Sequence, residues 1–327
     1  MAIIEIERLT KKYGSVSAVD GISFSIKEGE IFGFLGPNGA GKTTTISMLS
    51  TINEPTSGTA RVNGYDIVRQ KNEVRSSIGI VFQDPSLDDQ LTGRENLELH
   101  GMLYGVPATE RRKAIDRALE LVDLGDKADA IVKAYSGGMR RRLELARGLV
   151  HRPKVLFLDE PTVGLDPQTR RKIWAHIKHL NEKQRITIIL TTHYIEEADA
   201  LCSRIGVIDH GKMIRIDTSE KLKDSLGGDI ITANVSSPKE FIRIAKRMRS
   251  VKSAKDYDDG KVDITAGNGS MAIPALLKAA YDNKIRVDSI TLKRPSLEDV
   301  FIALTGREIR DETGDNMTTM RMRFRGR

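Results

Sequence analysis

The stretch IFGFLGPNGAGKTTTISML, residues 31–49, limits what this chain can fold into more than any other. An apolar run of strand character enters a glycine-rich loop, and a helix-forming run leaves it. The loop, GPNGAGKT at 36–43, fits G-x-x-x-x-G-K-[ST] in the strand–loop–helix context the pattern requires. Gly36, Gly39 and Gly41 let the backbone curl until several N–H groups point inward at phosphates. Pro37, Asn38 and Ala40 complete the loop, and Thr44 carries it into the helix. Lys42 adds a charge for β- and γ-phosphates, and Thr43 offers a hydroxyl to Mg2+. A glycine-rich surface turn is the bland alternative, and the flanking strand and helix argue against it.

The pattern around the loop sets the fold. Residues 1–35 alternate as strands, punctuated by glycines at 14, 21 and 29, and these early strands read as antiparallel. IGIVFQD (78–84), KVLFLDE (154–160) and ITIILTTH (186–193) read as buried strands. Helical periodicity fills 94–124, and PQTRRKIWAHIKHLNEK and IEEADALC are helices between strands. RIGVIDHGKMIRI forms a hairpin around His210-Gly211. This alternation predicts an α/β domain whose sheet is mainly parallel. LGGD at 226–229 marks a boundary, beyond which the order β-α-β-β-α-β is the split βαβ motif of a ferredoxin-like α+β domain. The expected organisation is a domain over 1–226 with a helical part at about 84–150, a small domain over 229–305, and a disordered basic tail over 306–327.

Strand ends supply the chemistry. Asp159 emerges at the carboxyl end of KVLFLDE, where ligands bind in open α/β sheets, and is expected to hold Mg2+. Glu160 would face the other way and polarise an attacking water. His193, at the end of ITIILTTH, either bonds the γ-phosphate or caps the helix that follows. The Gln83 amide could touch both Mg2+ and the water. Tyr13 either stacks on adenine or is a turn aromatic packed on the sheet. His176 and His179 share a helix face, have no cysteine partner, and read as solvated rather than as zinc ligands.

A second anion receptor lies at YSGGM, residues 135–139. Ser136, Gly137 and Gly138 open a helix, so free N–H groups and a hydroxyl face outward at the positive end of its dipole. No lysine accompanies them. Such a site would grip an anion that arrives already held, as on a second copy of the chain packed head to tail. An N-cap with glycines for tight packing is the plain alternative. GLDP, with Asp166, is placed to run along that seam.

Composition narrows the classes. The chain has 327 residues and a net charge of +7, and its arginine and lysine clusters are scattered, which reads as a basic surface. Aromatics are few, so a base-stacking nucleic-acid surface lacks material. Cys202 is the only cysteine, which excludes an internal disulfide and fits a reducing compartment. No run approaches the roughly 20 apolar residues of a membrane helix, and the N-terminus does not read as a signal peptide.

Taken in order, Tyr13, the loop at 36–44, Gln83, YSGGM, the strand ending in Asp159-Glu160, GLDP and His193 resemble the nucleotide-binding subunit of an ATP-binding-cassette transporter. The resemblance covers residues 1 to about 225 and departs at the signature, commonly LSGGQ, where Tyr135 and Met139 flank Ser-Gly-Gly. FQDPSLDDQLTGRENLELHGMLYG and RPSLEDVFIALTGRE are similar to the daunorubicin-resistance type of ABC-2 exporter subunit. That resemblance implies a P-loop NTPase cassette with a mixed sheet and a helical subdomain, an accessory C-terminal domain, and ATP and Mg2+ as ligands. It also implies an ATP-bound homodimer, a separate ABC-2-type transmembrane permease, the cytoplasmic membrane face as location, and efflux of a drug-like or hydrophobic cargo. A non-transport ATPase of the same family acting on nucleic acid is the alternative. The chain disfavours it, having no heptad stretch between the loop and the signature.

Overall fold

The computed structural model describes residues 1–84, 86–257 and 261–306. They fall into two compact units, one covering Met1–Ile216 and one beginning at Asp217. The expected tail beyond 306 and the glycine turn at 258–260 lie outside the described residues.

The first unit opens with β1 (Ala2–Tyr13) and β2 (Val16–Lys27), an antiparallel pair turning at Gly14. Ile4, Ile6 and Leu9 of β1 are buried while Glu5, Glu7 and Arg8 are exposed, so one face of the pair meets the core. Gly21 does not separate two strands. It sits inside β2 with φ 63°, and its N–H donates to Thr10 Oγ1 at 3.0 Å where the pairing register slips, as at a bulge. The chain continues through β3 (Ile31–Leu35), α1 (Lys42–Leu49), β4 (Ser57–Val62), β5 (Tyr65–Asp66) and α2 (Lys71–Ser77). β1, β2, β4 and β5 make a four-stranded sheet in the order β2-β1-β4-β5.

Next come β6 (Ile78–Val81), α3 (Gly93–Leu103), α4 (Ala108–Leu121) and α5 (Gly137–Leu149). Then follow β7 (Val155–Asp159), α6 (Pro167–Gln184), β8 (Thr187–Thr192), α7 (Ile195–Leu201), β9 (Arg204–Asp209) and β10 (Lys212–Asp217). These five strands and β3 form a sheet ordered β10-β9-β3-β8-β7-β6. β3, β6, β7, β8 and β9 run parallel, and every residue of β3, β7 and β8 is buried, as a strand covered on both faces must be. Phe32 and Phe34 of β3 meet Phe24 of β2 with ring centroids 5.4 and 5.7 Å away, which ties the two sheets together. Cys202 packs into the space left by Gly33, where a Cβ would stand 2.4 Å from its sulfur.

Register decides where the functional ends fall. Leu35 pairs with Thr192, and Asp159 with Thr191, so β3, β7 and β8 finish side by side. β6 stops short of the expectation for IGIVFQD. It is the edge strand, its ladder ends at Val81–Leu158, and Phe82 and Gln83 are exposed residues of the loop that follows. The basic clusters are not all surface either: Arg141, in the middle of RRR, is buried. His176 is half-buried beside Asp123 rather than solvated, whereas His179 is exposed.

The second unit contains α8 (Ser219–Asp224), β11 (Asp229–Val235), α9 (Pro238–Ala245), β12 (Val251–Tyr257), β13 (Lys261–Ala266), α10 (Gly269–Asp282), β14 (Val287–Lys293) and α11 (Leu297–Thr305). Its sheet is antiparallel in the order β12-β13-β11-β14, the arrangement the split βαβ order implies. α9 and α10 pack on it through Phe241, Ala245, Ala272 and Leu276, over Ile231, Ala233, Val262 and Ile264. α11 starts at a capping box, in which Ser296 and Asp299 bond each other's backbone N–H groups. α8, which precedes LGGD, groups with this unit.

Candidate functional site

The aligned ends of β3, β7 and β8 deliver three loops to one edge. The first runs from Gly36 into α1. Gly41 has φ 102°, conformational space that favours glycine, and a Cβ there would lie 2.4 Å from Ala18 O. No side chain caps α1, so its first N–H groups remain available to a ligand. Asn38, Gly39 and Thr43 are exposed, Pro37 and Thr44 half-buried, and Gly36, Ala40 and Gly41 buried. The Lys42 ammonium, 4 % exposed, donates to Gly36 O at 2.8 Å and Pro37 O at 3.1 Å, and lies 3.3 Å from Glu160 Oε1. Burial lowers its pKa below the usual lysine value, against the pull of Glu160 and Asp159.

The second loop carries the carboxylates. Asp159 Oδ1 accepts from the hydroxyls of Thr43, at 3.0 Å, and of Thr191. Glu160 follows with φ 48°, a left-handed conformation that costs a non-glycine residue about 1–3 kcal/mol. Its N–H donates to Thr191 Oγ1 at 3.0 Å and Thr191 O at 3.2 Å. The kink turns the Glu160 carboxylate between Lys42 and His193, whose Nδ1 is 3.2 Å from the same Oε1. Burial pushes the Glu160 carboxyl up, but the bond to His193 and the charge of Lys42 outweigh it and hold it below the ordinary range. It is therefore ionised at neutral pH. His193 itself comes from the third loop, past β8, with its ring centroid 4.2 Å from that of Tyr194.

Other expected residues stand apart from this cluster. Gln83 is exposed beyond β6. Tyr13 is 49 % exposed at the end of β1, with Lys11 5.1 Å from its ring centroid, so it is not a core aromatic. Ser136 caps α5 by accepting from Met139 N at 3.3 Å, and Ser136 and Gly137 are exposed at its tip. Tyr135 does the anchoring there: it is 6 % exposed and donates to Lys127 O at 2.6 Å. The tip sits against the start of α6, where a Cβ on Gly138 would meet Thr169 Cγ2 at 2.7 Å. Asp166 caps that helix, accepting from the N–H groups of Gln168 and Thr169, each at 3.0 Å.

Sequence reasoning missed Thr191, Arg141 and Glu197. Thr191 precedes His193 in a TTH run and lies opposite Asp159 in the ladder. Glu197, on α7, is fully buried and accepts from Thr162 Oγ1 at 2.7 Å and Trp174 Nε1 at 2.9 Å. Both charged residues are in polar stretches that look solvent-facing, and no local signal marks them.

Known proteins are similar to this chain in sequence and fold. The family model described as "ABC transporter" matches residues 19–163, and "ATP-binding protein DrrA1-3-like, C-terminal domain" matches residues 218–305. The chain is 42% identical over 306 residues to "Daunorubicin resistance ATP-binding protein DrrA2" of Streptomyces coeruleorubidus, covering 93% of this chain and 95% of that one. It is 42% identical over 314 residues to "Linearmycin resistance ATP-binding protein LnrL" of Bacillus subtilis (strain 168), covering 94% and 100%. Among solved structures it is similar to "Dimeric structure of a post-hydrolysis state of the ATP-binding cassette MJ0796 bound to ADP and Pi". The TM-score is 0.59 at 30% identity, over 66% of this chain and 98% of that one.

Proposed function

The chain belongs to the ATP-binding proteins of the ABC transporter family, in the daunorubicin-resistance branch, and from that premise we propose that it hydrolyses ATP to drive export through a separate membrane protein. The observation that carries this reading is the meeting of Lys42, Glu160 and His193 at the ends of three parallel strands, beside the Thr43–Asp159 pair.

The donor set fits a magnesium nucleotide. Thr43 and Asp159 offer hard oxygen ligands, and among the described residues no group of three or more His, Cys, Asp or Glu forms a metal cage. That suits an ion held by one or two protein oxygens plus phosphate. Mg2+ would neutralise charge developing on the phosphate oxygens. Lys42 exchanges the carbonyls of Gly36 and Pro37 for phosphate, while the N–H groups of the loop and α1 orient it. Glu160, ionised and aimed by its left-handed backbone, accepts the proton of the attacking water. His193 holds Glu160 and faces the γ-phosphate. Gln83 and Tyr13 reach the nucleotide from the rim.

The tip of Ser136, Gly137 and Gly138, exposed at its first two residues, completes the site of a second copy, with Asp166 at the seam. Two such contacts are asked to supply the roughly 5.5 kcal/mol that swings a two-state equilibrium from 1:99 to 99:1. Among the described residues no helix is long and apolar enough to cross a membrane. The reading places the chain on the cytoplasmic membrane face, working with an ABC-2-type permease on a drug-like or hydrophobic cargo. Among the described residues the longest helix between the glycine loop and Ser136 has 14 residues, too short for the coiled coil of a nucleic-acid ATPase.

Glu160→Gln should bind ATP, stall turnover and accumulate dimer on gel filtration. Ser136→Arg should bind ATP as a monomer and lose turnover. Wild-type turnover in Glu160→Gln would overturn the assignment of the base; a normal dimer in Ser136→Arg would overturn the shared site.

A further inference from the structure

The strongest unassigned feature is a buried charge cluster on α5. Arg141 is 8 % exposed and Glu144 1 %. Every N–H of the guanidinium has an acceptor. Nε donates to Pro161 O at 2.6 Å. Nη1 donates to Phe82 O at 2.6 Å and to Glu144 Oε2 at 3.0 Å. Nη2 donates to Asp159 O at 3.2 Å and Glu160 O at 3.1 Å. The other Glu144 oxygen accepts from Ser86 N at 2.7 Å. One side chain thus joins three segments: α5, the loop after β6 that contains Gln83, and the kink after β7 that contains Glu160.

The kink makes this more than a buried ion pair. Glu160 sits in a strained left-handed conformation, and a strained residue persists only when its surroundings over-determine it. Thr191 fixes the Glu160 N–H from β8. Arg141 fixes the carbonyls on both sides of the kink and one beyond it. A planar fork can satisfy carbonyls on two loops at once, which a point charge cannot. Arg141 also lies about 1.4 helical turns past the Ser136 cap, on a single uninterrupted helix. A displacement of that tip moves the fork, and with it the backbone that aims Glu160.

We propose that Arg141, held by Glu144, is the positioning residue for Glu160, and that through it α5 sets the aim of the catalytic carboxylate of its own chain. This rests on the reading of Glu160 as the base. The Arg141 donors are taken up by backbone carbonyls and Glu144, so its effect should appear in turnover and not in nucleotide affinity.

The test uses the full chain, measuring steady-state ATPase activity with Mg2+, equilibrium ATP binding by calorimetry, and thermal unfolding. Arg141→Lys keeps the charge and loses the fork. It should lower kcat by about 100-fold, the scale of a misplaced catalytic group, with the ATP Kd within about twofold of wild type. Glu144→Gln keeps the shape and loosens the clamp, and should lower kcat by about tenfold at unchanged Kd. Should Arg141→Lys fail to fold, Glu144→Gln decides alone. A folded Arg141→Lys, or Glu144→Gln in its absence, with wild-type kcat overturns the proposal. So does a loss in which ATP affinity and kcat fall together with the melting temperature, the mark of a structural role. Glu160→Gln, run in parallel, separates the two claims: if it turns over normally the base is misassigned, and if it is inactive while Arg141→Lys is normal only the positioning fails.

Discussion

Glu197 offers a test of how the loops behind the site are held. Its buried carboxyl accepts from Thr162, two residues past Glu160, and from Trp174 on α6. Glu197→Ala removes the acceptor of two donors, Thr162 buried and Trp174 half-buried. Each donor left unsatisfied costs about 1–3 kcal/mol, and the cavity adds to that, so the expected loss is about 3–6 kcal/mol. For a unit of this size that corresponds to about 6–24 °C in Tm. Glu197→Gln keeps an oxygen for both donors and should cost less than about 1 kcal/mol at neutral pH. The two variants also separate by pH. Burial raises the Glu197 carboxyl above its ordinary value, against the pull of its hydrogen bonds. The stability that belongs to its protonated form is complete below the ordinary carboxylate range and is lost as pH rises through the raised value. Glutamine does not titrate, so Glu197→Gln should gain on wild type as pH climbs above that range. Urea unfolding at several pH values reads this directly, and Trp174, the only tryptophan, reports its own partner by fluorescence. A Glu197→Ala variant that loses under about 1 kcal/mol, or a Gln variant as damaged as the Ala one, would refute the reasoning.

Three further variants test the same physics. Burial first, then Arg147 and His151, push the His100 imidazole down to about 3, with the Tyr104 ring centroid 4.5 Å away. Between the ordinary histidine range and that value the unfolded chain binds a proton the folded chain refuses, so stability falls on acidification. From pH 7 to 5 the loss is at most about 2 kcal/mol, discounted to about 1 for the partly exposed ring, and His100→Gln should flatten it in urea unfolding. Gly79→Ala would put a Cβ 2.2 Å from Gly148 O, where β6 meets α5, and should cost about 1–3 kcal/mol or more by thermal melting. Gly125→Ala, with open space around it, should stay within about 0.5 kcal/mol.

Much of the site was legible because its signals are local. The glycine loop lies between its own strand and helix, and Ser136, Asp166 and Ser296 bond N–H groups within three residues of themselves. Spacing along the chain reveals such caps, since the donor and acceptor are sequence neighbours. The β-α-β-β-α-β order likewise implied the antiparallel sheet of the second unit.

The sequence by itself determined where the glycine-rich loop and the Ser-Gly-Gly cap lie and which helices begin there. Only the tertiary structure decided that Lys42, Glu160 and His193 meet, because that depends on the register of β3, β7 and β8, strands more than a hundred residues apart at the extremes. It also decided that β6 ends before Gln83 and that one arginine of RRR is interior while its neighbours are not. The physical reason is the same in each case. Periodicity and caps are written over a few residues, whereas pairing register and the burial of a charge are set by partners that the chain brings together only on folding.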